Sequence, residues 1–89
     1  MIEMELTIIN KLGLHARAAS KLVSVCHGYQ SRIEIGHGGR YIDAKSIMAL
    51  LLSAISCGTR VSVRVDGEDE SEALAAVRRL IDERFEEAE

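Results

Sequence analysis

Apolar and polar residues alternate along Ile2-Glu3-Met4-Glu5-Leu6-Thr7-Ile8, a period of two that predicts a strand with one buried face. A turn containing Gly13 follows over residues 10–14. From His15 to Cys26 the period changes. Ala16, Ala19, Leu22, Val23 and Cys26 recur at helical spacing, and Gly28 stands where helices commonly end. Arg32-Ile33-Glu34-Ile35 alternates again, Gly36-His37-Gly38-Gly39 turns the chain, and Arg40-Tyr41-Ile42-Asp43 returns it, which predicts a hairpin. Ser46 is placed to cap a short apolar helix running to about Ser56, with Gly58 just beyond. The six residues 60–65 form the cleanest alternating strand, and Asp66-Gly67 ends it. Asp69 followed by Glu72 has the form of a capping box, and Leu74, Val77, Leu80, Ile81 and Phe85 draw one stripe along a final helix reaching about residue 86. The order is βαββαβα. Each strand offers one apolar face and each helix one stripe, so the expected class is α+β. Two layers follow, with helices covering one face of a mostly antiparallel sheet.

The chain has 89 residues and carries no linker, repeat or low-complexity stretch, so residues 1–89 are read as a single domain. A chain this short forms one core and has little room for a deep catalytic cavity, which points any chemistry to the surface. The longest apolar run, residues 47–52, is far short of a membrane span, and Glu3 and Glu5 interrupt anything resembling a secretion signal. Two cysteines, Cys26 and Cys57, do not make a disulfide framework. The expectation is a soluble cytoplasmic protein with reduced thiols. The formal net charge of −3 conceals an asymmetry: residues 1–65 hold eight basic and four acidic groups, whereas residues 66–89 hold three basic and ten acidic. A basic body suits an acidic partner or a phosphate. Nucleic acid is disfavoured, because one Phe, two Tyr and no Trp supply few stacking platforms.

His15 falls where strand periodicity gives way to helix periodicity. The start of a helix leaves amide N–H groups unpaired and carries partial positive charge, which suits an anion. Arg17, in the same first turn, adds a permanent cation whose fork matches phosphate oxygens. The same field disfavours the imidazolium form, and a neutral ring nitrogen is a nucleophile. Two readings of His15 therefore stand side by side: a capping or surface residue, common at helix starts, and the acceptor of a phosphoryl group. His27 and His37 have no such surroundings and read as exposed structural residues. Cys26, His27, His37 and Cys57 are possible metal ligands but lack ligand spacing, so no metal and no cofactor are expected. The middle helix is apolar around nearly its whole circumference, more than packing on a sheet requires. Part of Ile47, Met48 and Leu51 should be exposed, either as an interaction surface or beneath neighbouring loops. Ser46 reads as an N-cap, and a phosphate there would set about two negative charges beside that patch.

Asn10-Lys11-Leu12-Gly13-Leu14-His15-Ala16-Arg17-Ala18-Ala19 resembles the phosphorylation-site signature of HPr, the histidine-containing phosphocarrier family of the bacterial phosphotransferase system. Asp43-Ala44-Lys45-Ser46-Ile47-Met48 resembles that family's signature around its regulatory serine, and Asp66-Gly67-Glu68-Asp69-Glu70 its entry into the last helix. The resemblance covers essentially the whole chain, with the three motifs in register. It implies an open-faced sandwich with sheet order 1-4-2-3 covered by three helices. It implies that His15 takes a phosphoryl group on Nδ1 from phosphorylated enzyme I and delivers it to an enzyme IIA partner. Arg17 and the amides of Ala16 and Arg17 would hold the phosphate. Ser46 would be a target of HPr kinase/phosphorylase, and Ser20, Ile47, Met48 and Leu51 would dock partners. Such a carrier is not itself an enzyme, and a monomer is the expected state. The chain departs from the common pattern at Ala18, where many members have Pro, at Ser24 and His27, where Lys is frequent, and at Ala54, where Gly is frequent. The alternative is a regulatory protein working through Ser46 with His15 silent. Sugar uptake and a regulatory branch without transport are not distinguished by the residues.

Overall fold

The strands β1 (Ile2–Thr7), β2 (Arg32–His37), β3 (Arg40–Asp43) and β4 (Arg60–Asp66) form one sheet in the order β1-β4-β2-β3, with every neighbouring pair antiparallel. The computed structural model describes residues Met1–Glu89. Register explains the pattern read along the chain. Met4 faces Val63, which faces Ile35, so inward positions of three strands line up in rows across the sheet. Buried Ile33, Ile35, Val61, Val63 and Val65 make the sheet half of the core. The helices α1 (Ala16–His27), α2 (Ile47–Leu52) and α3 (Glu70–Asp82) supply the other half through Ala18, Ala19, Leu22, Cys26, Leu50, Leu74, Val77 and Ile81. The result is the open-faced sandwich with order 1-4-2-3. No helix is long and apolar enough to cross a membrane.

Four local expectations are corrected. The hairpin turn is tighter than its four-residue sequence suggested: β2 runs on to His37, which pairs with Arg40, leaving Gly38-Gly39 as a two-residue loop with both φ values positive. The middle helix stops at Leu52 rather than near Ser56, because the Ser53 hydroxyl donates to the Leu50 carbonyl at 2.5 Å and Ala54 turns left-handed at φ 55°. A left-handed alanine costs about 1–2 kcal/mol relative to glycine, which gives a physical reason for Gly at this place in the family pattern.

The third correction concerns Asp69. It precedes α3 but makes no side-chain cap, so the expected capping box with Glu72 does not form. Its carboxylate instead accepts hydrogen bonds from the Gln30 amide at 2.8 Å, the Ser31 amide at 3.0 Å and the Ser31 hydroxyl. Asp69 thus staples the entry of β2 to the start of α3. Those donors, the Ser31 hydroxyl foremost, hold its carboxyl below the usual carboxylate range. A lowered folded pKa stabilises the fold above the unfolded value of about 4 and ceases to do so as pH falls through the folded value. Asp69→Asn should therefore reduce the difference between urea midpoints measured at neutral and at strongly acidic pH. An undiminished difference would remove Asp69 from the acid sensitivity of the fold.

The fourth is the end of the last helix. α3 closes at Asp82, and Arg84, Phe85 and Glu86 follow in left-handed conformation at φ 57°, 53° and 65°. Phe85 is fully buried, as its place in the apolar stripe suggested, but it reaches the core from this reversed turn rather than from a continuing helix. The turn redirects residues 87–89 towards the start of α1.

Candidate functional site

The site begins at Asn10, which is fully buried although polar. Its side-chain amide donates to the Gly13 carbonyl at 2.8 Å and fixes the turn between β1 and α1. Gly13 sits at φ 63°, and a Cβ there would lie 2.7 Å from the Ile55 carbonyl oxygen. Only glycine lets this turn lie flat against the loop after α2, where the Leu14 amide donates to the Ile55 carbonyl at 3.0 Å. The turn delivers His15 in extended conformation as the N-cap of α1.

His15 caps through its ring: Nδ1 accepts from the Arg17 amide at 3.3 Å, and its carbonyl accepts from the Ala19 amide at 2.8 Å. The capping reading is the one observed: the histidine is the cap, with its Nδ1 at the Arg17 amide in the first turn. The ring is half-buried, with 27% of the side chain accessible. Arg17 is exposed and lines a groove with Lys11, Lys21 and residues 86–89.

The opposite ring atom, Nε2, meets the Glu87 carboxylate, a partner 72 residues away. The second oxygen of that carboxylate accepts from the Asn10 amide at 3.0 Å. Asn10 first and His15 second lower the Glu87 carboxyl below the usual range, with the positive charge of Arg17 adding to the effect, so it is ionised at neutral pH. Residues 86–89 were read only as part of an acidic stretch. Nothing local marks Glu87, because its role depends on the left-handed turn at 84–86 that carries it back across the molecule.

Ser46 is half-buried and caps α2, its hydroxyl accepting from the Ala49 amide at 3.2 Å. Beside it on α2, Ile47, Met48 and Leu51 are exposed, Met48 to 64%. Leu52 is exposed to 79% and was not singled out, since the circular apolar pattern does not tell which side meets the sheet. Ser20 is exposed on α1, the helix packed against α2. The four residues considered as metal ligands lie in different settings. Cys26 is buried, with its thiol pushed up to about 12 by desolvation. Cys57 is exposed and contacts the Ile9 carbonyl. His27 is exposed with Nε2 at 3.2 Å from the Lys45 carbonyl, and His37 is exposed at the end of β2.

A family model described as the PTS HPr component phosphorylation site matches residues 2–83. The phosphocarrier protein HPr of Xylella fastidiosa is 51% identical over 87 residues, covering 98% of both chains. That of Cupriavidus necator is 45% identical over 89 residues and covers both chains completely. Among solved structures, a crystal structure of HPr from Thermoanaerobacter tengcongensis superposes with a TM-score of 0.96 at 36% identity over the full length of both chains. Fold, family model and relatives agree, and the chain belongs to the HPr family of phosphocarrier proteins of the phosphotransferase system.

Proposed function

We propose that His15 accepts a phosphoryl group on Nδ1 from phosphorylated enzyme I and passes it to an enzyme IIA protein in the cytoplasm. The observation that carries this reading is the contact between Nδ1 and the Arg17 amide. The nucleophilic nitrogen already points at the N–H groups that a phosphate placed on it would need. On phosphorylation the Arg17 amide exchanges its ring acceptor for a phosphate oxygen, the Ala16 amide assists, and the exposed Arg17 guanidinium binds a further oxygen. The Nδ1 lone pair forms the new N–P bond as the donor's N–P bond breaks, and that electron pair returns to the donor nitrogen. A donor ring protonated on its second nitrogen leaves as neutral imidazole. The His15 ring, keeping its proton on Nε2, takes up the positive charge the donor gives up, so the step balances and is reversible. Half exposure and a single arginine suit a carrier, which must hold the group without becoming its sink.

Incubation with enzyme I and labelled phosphoenolpyruvate tests the reading. Acid-labile label should appear on the peptide bearing His15 and drain to added enzyme IIA. Label on His27 or His37 instead would overturn it. Docking is assigned to Ile47, Met48 and Leu51 with Ser20. Ser46 stands next to this patch, so phosphate added there by HPr kinase/phosphorylase would set about two negative charges at its edge and oppose acidic partners. A protein labelled by that kinase but never by enzyme I would instead be a regulator working through Ser46. Met48→Asp should raise the enzyme I concentration needed for half-maximal transfer by about tenfold, the equivalent of roughly 1.4 kcal/mol. The unfolding midpoint should not move, because Met48 is largely exposed. An unchanged requirement for enzyme I would place the docking surface elsewhere.

A further inference from the structure

Glu87, which contacts His15, lies outside the residues 2–83 that the family model matches. The contact is also not a casual surface one. Lys21 on α1 donates to the Phe85 carbonyl at 2.9 Å and pairs with Glu86 at 3.2 Å. Lys11 pairs with Glu89 at 3.6 Å, and its amide donates to the Glu89 carbonyl. The acids on either side of Glu87 are thus each held by a lysine. Glu87 alone of the three turns inward, where only 14% of its side chain is accessible, and divides its two oxygens between buried Asn10 and the His15 ring.

The two contacts on the ring agree in what they demand. Nδ1 accepts an N–H, so in the neutral ring it carries no proton. Nε2 meets a carboxylate, which only accepts, so Nε2 must carry the proton. We infer that Glu87 is a positioning residue for His15: it holds the ring in the Nε2–H tautomer, with the Nδ1 lone pair at the start of α1, and its negative charge offsets the positive charge the ring acquires on phosphorylation. The logic is that of a carboxylate behind a catalytic histidine. The second half of the inference rests on the proposed transfer to Nδ1, whereas the first half does not. The other charged groups facing the site are Arg17, Lys11 and Lys21, with Glu86 and Glu89 as the lysines' partners. None of these has a contact with Nε2, so none replaces Glu87 there.

The test uses the full chain in three forms: wild type, Glu87→Ala and Glu87→Gln. Ring ¹⁵N shifts of His15, recorded where the imidazole is neutral, report the tautomer. The wild type should be almost wholly Nε2–H, and Glu87→Ala should show a raised Nδ1–H population. Wild-type shifts in the alanine variant would overturn the tautomer role. Phosphoramidate, a small donor with no docking surface, then supplies the phosphoryl group. Both variants should be labelled on Nδ1 about tenfold more slowly, the equivalent of one charge-assisted hydrogen bond. Unchanged labelling of Glu87→Gln would overturn the charge role even if the alanine variant proves unstable. Failure of wild type itself to be labelled on Nδ1 by either donor would sink the proposed function, while the ring shifts would still decide whether Glu87 fixes the tautomer.

Discussion

His15→Ala should take no label from enzyme I and phosphoenolpyruvate, and the loss should be complete rather than partial. Two other histidines are exposed and chemically capable, so the claim rests on surroundings and not on residue type. His27 has Nε2 engaged with the Lys45 carbonyl at the far end of α1, where the helix terminus presents carbonyls and repels phosphate. His37 ends β2 at the hairpin and does not stand at the start of a helix. Only His15 combines a ring nitrogen aimed at first-turn amides with a neighbouring arginine. Its replacement should change stability little. The ring is half-exposed, and the loss of one cap hydrogen bond costs about 1 kcal/mol, so an unfolded preparation would not explain the missing label. Acid-labile counts on the alanine protein, with near-normal circular dichroism, would refute the site.

Phe85→Ala should produce the largest loss of stability of any single truncation considered, about 3–5 kcal/mol. Phe85 is the largest fully buried side chain and is inaccessible to solvent. It also holds three consecutive non-glycine residues in left-handed backbone, a conformation that costs about 1–2 kcal/mol for each residue and persists only when its surroundings over-determine it. Its burial and the grip of Lys21 on its carbonyl supply that compensation. Against a total of roughly 4–13 kcal/mol for a chain of this size, the expected change is severe. The midpoint of thermal unfolding should fall by on the order of 15 °C. Amides of residues 84–89 should exchange faster than those of β4, and the His15 ring should lose its contact with Glu87. A drop of only a few degrees would mean that the turn at 84–86 is held by something other than the phenylalanine.

The order of strands and helices was legible because it is written in short-range periodicity. Val61, Val63 and Val65 alternate with Ser62 and Arg64, and Leu22 and Cys26 lie one helical turn apart, so each element declares its own buried face. The pairing of His15 with Arg17 was legible for the same reason, being two residues apart at a helix start. What misled was chemistry with more than one use. Asp69 reads as a cap in sequence, but its carboxylate found better donors in Gln30 and Ser31, 38 and more residues away. The apolar circumference of α2 announced a surplus without saying that Leu52 would be its most exposed member.

By itself, then, the sequence determined the elements, their inward faces, the core that joins them, and a histidine next to an arginine at the mouth of α1. Only the tertiary structure decided what stands behind that histidine. Glu87 reaches Nε2 across 72 residues, through a left-handed turn held by a buried phenylalanine and a lysine on another helix. Local pattern reports interactions within a turn or a strand pair. A contact between chain segments so far apart is set by where the core closes, and that is a property of the packed molecule rather than of any stretch of it.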